Sequence, residues 1–171
     1  MPPTIEALID RHDDRLRDVP ELRQGTALFD DRDHAGTVLA DLLAGADLDR
    51  PIVLAVPAGG VPVAAALAGR IGAALDVAVV SKVTLPGNTE VGCGAVAFDG
   101  TVRLNEQMVA MVGLGEAELA EAVSRTEEKV RRRADLFRAG LGELDVAART
   151  AILVDDRLAA GFTMFVAAEA V

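Results

Sequence analysis

Tryptophan and tyrosine are missing from this chain, and five phenylalanines are its only aromatics among 171 residues. The interior must therefore be built from aliphatic side chains, within a hydrophobic content of 51%. A chain of this length can bury a substantial core as one domain. Cysteine is nearly absent too. Cys93 stands alone, which excludes an internal disulfide and any cysteine-based metal centre. Positive charge is in deficit, with 17 Lys and Arg against 27 Asp and Glu and a net charge of -10. That balance argues against a nucleic-acid-binding surface, although it leaves room for a local basic pocket. The start, Met-Pro-Pro-Thr and an acidic amphipathic stretch, lacks the basic and apolar regions of a signal peptide. Together with the cysteine usage, this points to the cytoplasm. One uncharged run, Pro51–Gly69, has the length of a membrane span, but Pro57, Gly59, Gly60 and Pro62 interrupt its middle. It reads as strand, tight loop and helix, so no membrane partner is expected.

What is present alternates between strand and helix patterns. Residues 4–18 place Ile5, Leu8, Ile9, His12 and Leu16 on one helical face, with His12 as a packing residue. Residues 1–25 are read as an N-terminal helical extension and 26–171 as the main domain. A helix is predicted from Asp33 to Leu43, with Asp33 as N-cap and Gly45 as stop. The carboxylates and His34 nearby read as a capped, solvated helix start rather than a metal site. Strands are predicted at 52–56, 75–80 and 151–155, and helices at 61–73 and 116–138. Ser81–Glu90 has a loop composition. A hairpin is expected at 91–104 around Asp99-Gly100, followed by a short helix capped by Asn105. The run Arg131-Arg132-Arg133 reads as the solvated face of the long helix, opposite its apolar stripe. A last helix begins at Phe162. The pattern predicts an α/β fold, an open and mostly parallel sheet with helices on both faces.

Chemistry is concentrated where Ile152-Leu-Val ends in Asp155-Asp156, followed by Arg157-Leu158-Ala159-Ala160-Gly161-Phe162-Thr163. A buried strand would deliver the two carboxylates to its carboxyl end, where open parallel sheets bind ligands. A helix start beyond them can hold an anion. A P-loop nucleotide hydrolase also carries carboxylates on such a strand, but no G-x-x-x-x-G-K-[ST] occurs. A phosphoacceptor receiver domain would need far more chain after the acidic pair.

Residues 152–164 resemble the ribose-phosphate loop of the type I phosphoribosyltransferases. Leu54-Ala-Val-Pro-Ala-Gly-Gly-Val-Pro-Val63 is similar to that family's pyrophosphate loop and the helix after it. Val80-Ser-Lys-Val-Thr-Leu-Pro-Gly-Asn88 is similar to the start of its flexible catalytic loop. Phe29-x-Asp-Arg32, Gly94-Ala-Val-Ala, Asp99-Gly100 and Leu104-Asn-Glu106 resemble one bacterial subgroup, so the likeness runs from about residue 29 onward.

The resemblance implies transfer of phosphoribosyl from 5-phosphoribosyl 1-diphosphate (PRPP) to a nitrogen acceptor, with release of pyrophosphate. It makes Lys82, Asp155 and Asp156 the catalytic candidates, the carboxylates contacting the ribose hydroxyls. It makes Pro57, Ala58, Gly59 and Gly60 the diphosphate loop, with the two glycines admitting backbone amides to the ligand. Arg157, Leu158, Ala159, Ala160, Gly161, Phe162 and Thr163 become the phosphate cradle. Magnesium is expected with PRPP, held mainly by substrate and water, and no dedicated protein metal cage is expected.

Several positions depart from the family pattern. Ala58 stands where the subgroup has an Arg facing the diphosphate, and Arg157 replaces a Gly. Ala160 replaces a phosphate-binding Thr, and Phe162 replaces a small residue. These changes keep open a catalytically impaired relative acting as a ligand-binding or oligomerisation domain. The fold is expected to be C-terminally abbreviated, leaving 151–155 as a hydrophobic edge strand. Truncation, cover by a partner or a second copy in a homo-oligomer, and a decayed copy all fit that expectation.

Overall fold

The computed structural model describes residues 28–85, 88–158 and 161–171. The helix expected at 4–18, His12 and the boundary near residue 25 lie outside the described residues. Eleven elements follow in order: α1 (Arg32–Leu42), β1 (Ile52–Ala55), α2 (Gly60–Ile71), β2 (Ala74–Val77), β3 (Val80–Leu85), β4 (Asn88–Ala97), β5 (Val102–Leu104), α3 (Glu106–Val112), α4 (Glu116–Phe137), β6 (Ala151–Val154) and α5 (Phe162–Glu169). They form a parallel sheet in the order β2-β1-β6 and an antiparallel sheet in the order β3-β4-β5.

The parallel sheet is the expected one, and β1 is its centre. All four residues of β1 are buried. Such a strand reads as a continuous apolar run because both of its faces are covered. Val53 and Ala55 pack with Val63, Ala64 and Leu67 of α2 and with Ala122 and Val130 of α4. Ile52 and Leu54 face Leu153, Leu144 and Val146 on the other side. Strand β6 lies at the edge of this sheet among the described residues, and only Val154 of its four residues is buried, so the strand expected to be buried is half-exposed.

The expected strand at 75–80 is two strands. Backbone pairing with β1 ends at Val77, and β3 starts at Val80 and turns back against β4. Ala78 and Val79 between them are fully buried, so an unbroken apolar run hides the change of sheet. Lys82 consequently sits within a strand, opposite Ala95, instead of in a loop.

Helix boundaries follow their capping chemistry. The side chain of Asp31, rather than Asp33, accepts the His34 N–H and caps α1, placing Asp33 in the first turn. Asn105 accepts the Met108 N–H and caps α3, which ends at Gly113 in a left-handed conformation. In α4 the buried residues Ala122, Thr126 and Val130 recur every four positions, and the Thr126 hydroxyl donates to the Ala122 carbonyl at 2.7 Å. The far end of α4 is tied to β2 by Arg138, whose Nε and Nη2 each donate to Asp76 at 3.0 Å. Helices α1 and α2 cross at Gly36, where an added Cβ would run into the Val63 carbonyl and the Ala66 side chain. Among the described residues, no helix is long and apolar enough to cross a membrane.

Candidate active site

Parallel pairing of β1 with β6 sets the site. Ala55 lies beside Val154, and the Val56 N–H donates to the Val154 carbonyl at 2.8 Å. The loops after both strands therefore emerge side by side at the carboxyl end of the sheet, where an open α/β fold binds its ligands. The first loop, Pro57–Gly59, leads directly into α2, whose N-terminus is a partial positive charge.

The two loops interlock through glycine. A Cβ on Gly59 would overlap the Asp156 carboxylate, and one on Gly60 would lie 2.6 Å from the Val154 carbonyl and 3.0 Å from the Asp155 Cα. The Gly60 N–H is used within the loop, donating to the Val56 carbonyl at 3.1 Å. These glycines thus have a structural reason beside the ligand-facing one: they let the acidic loop rest on the α2 start. Ala58 is exposed and contributes no charge to the loop.

Two adjacent carboxylates receive opposite treatment. Asp156 accepts from Arg32 Nε at 3.1 Å and Nη2 at 2.6 Å. This charge-assisted pairing holds its pKa below the ordinary carboxylate range, with Arg157 adding in the same direction. Asp155 is half-buried, and desolvation pushes its pKa up, partly offset by the hydrogen bond it accepts from the Asp156 N–H at 2.8 Å. One site therefore carries a firmly ionised carboxylate and a neighbour that takes up a proton more readily.

Beyond the pair, the chain turns outward. Arg157 and Leu158 are exposed and, with Leu39, Leu42 and Leu43 of the α1 end, Ile152 of β6 and Met164 of α5, line an apolar groove of about 430 Å³. Ala159 and Ala160 lie outside the described residues. Gly161 takes a left-handed conformation at φ 70° and starts α5, with Phe162 and Thr163 in its first turn. Phe162 stacks at a tilt on Phe165, centroids 6.5 Å apart. The structure thus brings Gly59, Gly60, Asp155 and Asp156 together. It places Lys82 on the separate antiparallel sheet, exposed and with its stem along Gly92.

Two arginines at the site escaped the sequence reading of its charges. Arg32 was visible only as part of the Phe29-x-Asp-Arg motif, and its partner Asp156 is 124 residues away. Arg133 was assigned with its neighbours to a solvated helix face. Arg131 and Arg132 are indeed exposed, but the Arg133 guanidinium donates to the Pro57 carbonyl at 2.9 Å. Helical geometry explains the difference: successive residues are turned about 100° apart, so a run of three cannot share one environment.

A magnesium ion would find few protein ligands here. Among the described residues no group of three or more His, Cys, Asp or Glu side chains could hold a metal, and Asp156 is engaged by Arg32. The donor set fits only an ion that brings most of its ligands with it, as one carried by a diphosphate does.

An apolar parallel strand ending in two carboxylates, interlocked with a glycine turn at a helix start, stands at the carboxyl end of the parallel sheet. The phosphoribosyl transferase domain family matches residues 29–171, and the chain belongs to that family, the type I phosphoribosyltransferases of the sequence comparison. Two relatives from Mycobacterium tuberculosis, "Putative phosphoribosyl transferase Rv0571c" of strain H37Rv and its counterpart MT0597 of strain CDC 1551, are each 41% identical over 137 residues, which is 80% of this chain. The chain spans 31% of the length of each. Among solved structures, TT1426 from Thermus thermophilus is similar, with a TM-score of 0.66 and 38% identity over 82% of this chain and 66% of that one.

Proposed function

We propose that the junction of loops 57–60 and 155–163 binds PRPP or a nucleotide 5′-monophosphate. In turnover, the C1–diphosphate bond breaks with its electron pair leaving on pyrophosphate, a nitrogen acceptor forms the new bond to C1, and that nitrogen gives up its proton. The carrying observation is the interlock of Gly59 and Gly60 with Asp155 and Asp156. It sets two carboxylates beside a helix start, the pairing of groups that a sugar bearing both hydroxyls and phosphates calls for. Asp156, oriented by Arg32, and Asp155 are assigned to the ribose hydroxyls. The loop before α2 takes the diphosphate, and the start of α5 takes the 5-phosphate. Lys82, on β3, is assigned to the departing diphosphate. Magnesium, when bound with the substrate, supplies charge neutralisation for the leaving diphosphate.

Calorimetric titration with PRPP, with and without magnesium, tests this reading. Binding that strengthens with magnesium is expected. No heat and no thermal stabilisation at millimolar PRPP would overturn it.

A second reading, a binding domain without turnover, is favoured by two features. Asp156 is already engaged by Arg32, and Ala58 offers no side-chain charge to a leaving group. Pyrophosphate release separates the two readings: a binding domain holds PRPP over hours without releasing it, whatever nitrogen acceptor is added.

A further inference from the structure

We propose that Arg133, on α4, is the positioning residue of the 57–60 loop and supplies the positive charge that Ala58 lacks. The guanidinium is half-buried, and its Nη2 donates to the Pro57 carbonyl at 2.9 Å. It also lies 5.6 Å from the centroid of the Phe137 ring, one helical turn along. Phe137 in turn packs against the main core. The loop is thus tied to a rigid 22-residue helix by a side chain held at both its ends.

Charge pairing sets this arginine apart. Arg32, Arg70, Arg103, Arg125 and Arg138 each form an ion pair with a carboxylate. Among the described residues no carboxylate pairs with Arg133, whose partners are a carbonyl dipole and a ring. Arg50, Arg131, Arg132 and Arg157 show no ion pair either but are exposed, and half-buried Arg149 donates to the carbonyls of Arg50 and Pro51 at the opposite end of β1. A half-buried cation with only neutral partners retains an uncompensated field. That field falls on the loop leading into α2, so it adds to the positive helix terminus there. An anion in the loop completes the set. Helix α4 also packs against β3 and β4, the hairpin that carries Lys82, so one helix links the two places where positive charge is assigned.

The proposal has a loop arm that stands without any ligand and a ligand arm that rests on the proposed diphosphate site. For the first, hydrogen exchange of peptides covering residues 56–64 is compared in the ligand-free full chain. Arg133→Met should lose protection there, and Arg133→Lys should retain most of it. Unchanged protection in Arg133→Met would overturn the positioning role. For the second, magnesium pyrophosphate and ribose 5-phosphate are titrated into each variant. Loss of one charge-assisted contact predicts about 10-fold weaker pyrophosphate binding for Arg133→Met. Ribose 5-phosphate binding should change less than about 2-fold, being remote from this charge. Equal weakening of both ligands would overturn the charge role, because it would mean general disruption. If the wild-type chain binds neither ligand, the functional reading and the charge role fail together, while hydrogen exchange still decides the positioning role. If Arg133→Met does not fold, Phe137→Leu, which removes the ring under the guanidinium, takes its place in the exchange measurement, and Arg133→Gln, which removes the charge, takes its place in the titrations, each with the outcome stated for that arm.

Discussion

The loop after β6 has two halves that meet different surroundings. Asp155 and Asp156 rest on the glycine turn before α2, and Asp156 is held by Arg32, whereas Arg157 and Leu158 are exposed at an open apolar groove that Asp155 also lines. Leu158 is 70% exposed, while the Asp156 side chain is 16% exposed. The half carrying the carboxylates is fixed by two distant parts of the chain, the Gly59–Gly60 turn and Arg32. Arg157 and Leu158 in the second half are exposed. The acidic half keeps its geometry because its neighbours leave little room.

That contrast can be broken most strongly at Gly60. Its added Cβ would meet backbone, which cannot rotate away, so Gly60→Ala should cost about 1–3 kcal/mol in urea unfolding. Gly69, in the same helix, has nothing within 4 Å of a Cβ. Gly69→Ala should instead stabilise by about 0.5–1 kcal/mol through helix propensity. Equal outcomes at the two positions would refute the interlock.

Arg32→Met comes next. Arg32 is 56% exposed, so solvent screening limits the loss to about 1 kcal/mol at neutral pH. The pair also governs acid behaviour. Because the Asp156 pKa is lowered in the folded protein, its contribution is present above the unfolded value near 4 and fades as pH falls through the folded one. Arg32→Met should flatten that acid limb.

Asp155 has the opposite sign. Its folded pKa is raised, so its contribution is fullest below the unfolded pKa and is lost as pH rises through the folded value. Asp155→Asn should accordingly leave neutral-pH stability unchanged or higher, whereas Asp156→Asn should lower it. Thermal melts of both variants between pH 3 and pH 7 check the pair, and parallel curves would contradict the difference in environment. The smallest effect is expected in the open half. Leu158→Ser should move stability by less than about 0.5 kcal/mol, as an exposed side chain outside the core.

Much of the fold was legible because local rules acted alone. Apolar runs marked β1 and β6, Asn105 marked the start of α3, and Asp99-Gly100 turned β4 into β5. The rest depended on distant partners. Nothing between Leu75 and Val80 marks where pairing with β1 stops, since either sheet accepts the same apolar side chains. The carboxylates and glycines of the site were legible as types, but their contact was not. The resemblance to a family supplied their roles, and the structure supplied their mutual packing.

The sequence by itself determined the alternation of strands and helices, the aliphatic core and the place of the acidic pair after an apolar strand, because periodicity and capping are local. Only the tertiary structure decided that Asp156 lies on Gly59 under Arg32, that Arg133 leaves the solvated face to hold Pro57, and that two neighbouring carboxylates differ in their hold on a proton. Those outcomes depend on which groups the parallel pairing of β1 and β6 brings within a few ångströms, and on the burial that strengthens charge once they are there.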